Sequence, residues 1–74
     1  MVNKTKNWAK WVKDDQSVVS CTEKIKVMNE NFDELKQLAQ DAFEDGILME
    51  VSDQQMRDVL HQIVDDLKNQ LVKK

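Results

Sequence analysis

The chain has no proline, no tyrosine, a single glycine (Gly46), a single cysteine (Cys21) and a single histidine (His61) among its 74 residues. Each scarcity excludes something. Without proline, nothing interrupts helix formation except at Gly46. With one glycine there is no glycine-rich loop to cradle a phosphate, and no serine sits in a strand-turn-helix elbow. One cysteine forbids an internal disulfide and the multi-cysteine zinc patterns, and fits a reducing compartment. No apolar run approaches the roughly 18 residues of a membrane span, and the first residues lack the apolar centre of a signal peptide. The expectation is a soluble cytoplasmic protein.

What is abundant is charge, 34% of residues, with a net value of −3 that is unevenly distributed. Residues 1–13 carry Lys4, Lys6, Lys10 and Lys13 and no acid, a charge of +4. Residues 14–58 carry twelve acids against Lys24, Lys26, Lys36 and Arg57, a charge of −8, and the remainder is +1. A basic arm on an acidic body can be a sign of docking by charge, although a solvated helical surface of mixed sign is the favoured explanation.

The organising stretch is Val18 to Ala42. Val18, Cys21, Ile25, Met28, Phe32, Leu35, Ala39 and Ala42 recur with alternating steps of three and four residues. That 3.5-residue repeat predicts a helix packed lengthwise on another helix. Its start falls at Ser17 or Ser20, the latter with Glu23 at the capping-box position, while Val18 and Val19 admit an extended alternative. Asn31 with Glu34 repeats the capping pattern, but Ile25, Met28, Phe32 and Leu35 keep phase through Asn29–Asn31, which favours one continuous helix. From Phe32 the apolar face widens to Leu38 and Phe43, so this later half is expected to be core. Gly46 follows an apolar-periodic run, where glycine commonly takes the left-handed position that closes a helix. Ile47, Leu48, Met49 and Val51 then form a short apolar connection. Ser52, with Gln55 three residues on, begins a last helix whose apolar face is Met56, Val59, Leu60, Ile63, Val64, Leu67 and Leu71.

The fold expected is all-α: a small helical bundle in one domain, 1–74. It is built on a long antiparallel helical hairpin (about 17–45 and 52–73, with a turn at 46–51) plus a short N-terminal helix over 5–14 within a basic segment, 1–14. In that helix Trp8, Trp11 and Val12 share a face, with Thr5 as a cap. The two indoles either close one end of the core or belong to a docking arm, since tryptophan interleaved with lysine suits nucleic acid or an anionic membrane surface. A domain of this size removes only about 60% of its unfolded surface from water, so self-association or a partner is expected to complete the core.

Chemistry is poorly supported. His61 lies beside an apolar face four residues before Asp65, and Cys21 has no sequence-adjacent histidine to lower its pKa. Asp41 to Ser52 has the length of a calcium loop, yet Phe43 occupies position 3 and Ser52 stands where a bidentate glutamate is required. A helix-turn-helix reading fails because the last helix offers outward Asp53, Asp58, Asp65 and Asp66. No catalytic, cofactor-binding or metal residues are assigned, and no cofactor is expected. The expected function is that of a non-enzymatic protein-protein interaction module, an adaptor, chaperone-like protein or inhibitory regulator. It would hold another protein, or its own copy as a homodimer, through Trp8, Trp11, Val18 and Ile25, with Ile47, Leu48 and Met49 as a second patch. The alternative is nucleic-acid or anionic-membrane binding by the N-terminal arm.

Overall fold

The structure is a computed structural model that describes residues 6–71. Among them there are two helices, α1 (Thr22–Leu48) and α2 (Asp53–Asp66), and no strand beyond one isolated antiparallel bridge, Val12 to Val18. The chain divides into two compact units, Met1–Leu38 and Ala39–Lys74. α1 contributes to both.

In the first unit, no helix forms among the described residues before Thr22, so residues 6–14 correct the expected short helix; Thr5, its proposed cap, lies outside the described residues. The segment doubles back as a tight extended hairpin instead. Val19 N–H donates to the Trp11 carbonyl at 2.8 Å, Lys13 N–H to the Ser17 carbonyl at 2.8 Å, and Gln16 N–H to the Lys13 carbonyl at 2.9 Å. Gln16 takes a left-handed φ of 73° at the turn. Asp15 Oδ1 accepts both the Ser17 hydroxyl, at 2.6 Å, and the Ser17 backbone N–H, at 2.9 Å, the local bonding that makes short polar side chains turn formers. The same two bonds hold the Asp15 carboxyl below the usual carboxylate range, the hydroxyl contributing most.

This hairpin explains why α1 begins at Thr22 and not near residue 17: Val18 and Val19 are already committed to pairing with Val12 and Trp11. α1 then runs unbroken through Asn29–Asn31, as the phase of the apolar stripe implies. The expected division of that stripe into an uncovered half and a core half is not seen: Val18 and Cys21 are exposed in the first half, while Ala39 and Phe43 are half-buried in the second. Ile25 and Met28 are half-buried, whereas Leu35 and Leu38, placed in the presumptive core, are exposed.

In the second unit, α1 continues one turn further than Gly46 predicts. Gly46 is helical and buried, and the left-handed position is filled by Glu50, with φ 71°. Glu50 N–H donates to the Ile47 carbonyl and Val51 N–H to the Gly46 carbonyl, both at 2.9 Å. These are the paired 5→2 and 6→1 bonds of a Schellman closure, with Glu50 where glycine is usual. Gly46 instead lets Met56 lie close: a Cβ there would collide with Met56 Sδ and lie 2.7 Å from its Cε and 3.0 Å from its Cγ, so the Met56 side chain would have to move. Since a left-handed φ costs a non-glycine residue about 1 kcal/mol, Glu50→Gly is expected to stabilise the second unit by about that amount. Urea denaturation should show a raised midpoint with an unchanged slope.

α2 starts as the sequence implies, at a Ser52 cap whose Oγ accepts the Gln55 backbone N–H at 3.1 Å. The last turns of α1 and α2 form a helical hairpin, with Met56 seated on Gly46 and the Arg57 guanidinium 5.0 Å over the Phe43 ring. α2 ends at Asp66, short of the expected residue 73; residues 72–74 lie outside the described part. Asp65 and Asp66 place negative charge at the negative end of the helix dipole, with no basic residue in the last turn to offset it. Leu67 leaves the helix with extended backbone.

Candidate interaction surfaces

In the first unit the most enclosed side chain is polar. Asn29, one turn before Asp33 on α1, is only 6% exposed. Its Oδ1 accepts the Trp8 backbone N–H and the Trp11 indole N–H, both at 3.1 Å, and its Nδ2 donates to Asn7 Oδ1 at 3.3 Å. Asp33 makes a second hook: its Oδ1 accepts the Trp8 indole N–H at 2.8 Å and its Oδ2 the Lys6 backbone N–H at 3.2 Å. A spacing of four residues places both acceptors on one face of the helix. Phe32, beside them in sequence, meets both indoles. Trp11 stacks on it at 5.6 Å between ring centroids and Trp8 leans on it at 6.2 Å. Lys6 Nζ lies 4.1 Å from the Trp8 ring centroid.

Trp8 and Trp11 are thus half-buried with both indole N–H groups engaged, so the structure gives each a role in clasping the arm to α1. Asn29 and Asp33 were not among the candidate residues. The signal that would have found them is chemical: a buried indole needs an acceptor for its N–H. Asn29, directly beside the apolar stripe, supplies one. Trp11, Val18 and Ile25 come together with Asn7, Ala9, Lys10 and Val19 around a depression of about 260 Å³. Val18 is exposed and Ile25 half-buried. Cys21, expected on a packed stripe, is an exposed free thiol just ahead of α1.

The second unit offers a different surface. Ile47, Leu48 and Met49 form an apolar knuckle at the end of α1, with Leu48 81% and Met49 75% exposed. Ile47 and Leu48 line an open groove of about 340 Å³ with Phe43 and Glu44. On α2, Val59, Ile63 and Val64 are also exposed, as is Leu67 just beyond it. Among the described residues not one apolar side chain is buried.

Among these residues no group of three or more His, Cys, Asp or Glu side chains is placed to hold a metal ion, and no helix is long and apolar enough to cross a membrane. Comparison with models of protein families, with curated proteins and with solved structures found no match.

Proposed function

We propose that the chain is a non-enzymatic interaction module that holds a partner protein against its exposed apolar helical surface, acting as an adaptor, chaperone-like protein or inhibitory regulator. One observation carries the reading: two helices with amphipathic sequences bury no apolar side chain among the described residues, while large ones such as Leu48, Met49 and Ile63 stand in solvent. Apolar burial supplies most of the free energy of folding, and contiguous exposed apolar surface is what association removes from water. Ile47, Leu48 and Met49 are the centre of this reading. Trp8, Trp11, Val18 and Ile25 serve it by shaping the first unit.

The test is a full-length chain carrying Leu48→Asp and Met49→Asp. Both positions are exposed, so far-UV circular dichroism should be unchanged. Desolvating two carboxylates at an interface costs several kcal/mol, and each 1.4 kcal/mol is a factor of about ten. Proteins that co-purify with the wild-type chain from its native host should therefore fall at least tenfold with the variant. Undiminished co-purification would mean that the partner sits elsewhere.

A further inference from the structure

The second unit combines its apolar surface with a one-sided charge. Residues 39–74 carry eight acids, Asp41, Glu44, Asp45, Glu50, Asp53, Asp58, Asp65 and Asp66, against Arg57, Lys68, Lys73 and Lys74, a balance of −4. Arg57 is already engaged: its Nε donates to Asp53 Oδ1 at 2.6 Å and its guanidinium covers Phe43. The amides of Gln40 and Gln54, which donate to Glu44 and Asp58 at 2.9 Å and 2.8 Å, are neutral and leave those charges standing. Glu44 stands in the wall of the groove whose other lining residues, Phe43, Ile47 and Leu48, are apolar.

We infer that the occupant of this surface is a basic amphipathic helix of a partner protein. This rests on the function proposed above and names the partner's chemistry. A helical hairpin with uncovered apolar side chains is completed by a further helix laid along it. A second copy docked through this same face would set a second −4 against the first, and like charges at close quarters oppose association. A helix with a leucine-rich face bordered by lysine or arginine meets the apolar floor and neutralises Glu44 and its acidic neighbours together.

The probe is a pair of synthetic helices of about 18 residues, roughly five turns, with the same leucine face and either lysine or glutamate on the other side. Each is titrated into the full-length chain by isothermal calorimetry at low and at moderate salt. The lysine peptide is expected to bind one to one, at least tenfold more tightly than the glutamate peptide, and to weaken as salt rises. Leu48→Asp, and independently Ile63→Asp, should each cost the lysine peptide about tenfold, and Glu44→Lys a smaller factor. Equal binding of the two peptides, no binding of either, or binding of the lysine peptide that both apolar variants leave untouched, overturns the inference. So does light scattering that shows a wild-type dimer dissociated by Leu48→Asp, because the occupant is then a second copy. In that last case the interaction face itself stands, whereas undiminished co-purification with the Leu48 and Met49 variant removes the face as well.

Discussion

Asn29→Ala is expected to free the N-terminal arm from α1 without loss of helix. The substitution removes three hydrogen bonds at once, from Trp8 N–H, from the Trp11 indole N–H and to Asn7. A net value of about 1 kcal/mol for each puts the loss near 3 kcal/mol, on the order of a hundredfold in the docking equilibrium. Alanine is at the same time a better helix former than asparagine, so α1 itself gains slightly. Asn29→Asp separates the causes. It keeps an oxygen for both tryptophan donors but sets a carboxylate one turn from Asp33, which costs a few tenths of a kcal/mol, so its effect should be intermediate. Trypsin provides the measurement, because Lys10 and Lys13 lie in the arm and cleavage tracks the undocked population when reclosing is fast. Cleavage after these lysines should accelerate on the order of a hundredfold in Asn29→Ala. An unchanged rate would show that the arm does not depend on this side chain.

The second large effect belongs to Gly46. A valine there places a branched Cβ where Met56 now lies, with Met56 Sδ in collision and Cε 2.7 Å from the position of that atom. Overpacking a close contact costs typically about 1–3 kcal/mol, and helix propensity, which favours valine over glycine by a few tenths, offsets little of it. Because the obstructing atoms are the end of the flexible Met56 side chain, which can swing aside, the low end applies, and Gly46→Val should destabilise the second unit by about 1 kcal/mol. In a Met56→Ala background the obstruction is gone and the same change should cost well under about 1 kcal/mol. The double-mutant cycle is accordingly expected to give a coupling of at least about 0.5 kcal/mol, measured by urea denaturation followed through helical ellipticity. Additive single effects would show that Gly46 is not present for the sake of Met56.

These two positions also show what the amino-acid sequence discloses and what it does not. The helical class, the continuity of α1 across Asn29–Asn31 and the Ser52 cap are legible because each depends on residues within a turn or two of one another. The arm is not. Trp8, Trp11 and Val12 fit a helical face as well as they fit a strand leading into a turn, and three residues cannot distinguish the periods. Their partners lie 18 to 25 residues away, in Asn29 and Asp33, and no local pattern reports such a distance. Gly46 misleads for a related reason. Glycine serves two purposes, a left-handed φ or a missing side chain, and only the position of Met56 reveals which applies. Of the candidate interface, the knuckle Ile47–Met49 was visible as an apolar run. The engagement of the indoles, which ties Trp8 and Trp11 to their own helix, was not.

The clasp has one more consequence. Both tryptophans, Trp8 and Trp11, belong to the unit that ends at Leu38, and no tryptophan or tyrosine follows them. Intrinsic ultraviolet emission is therefore an optical label for that unit alone, whereas backbone ellipticity sums over α1 and α2. A single thermal scan recorded in both signals resolves which half of the chain yields first: coincident curves mean that the molecule melts as one cooperative body, and separated curves give each unit its own transition temperature.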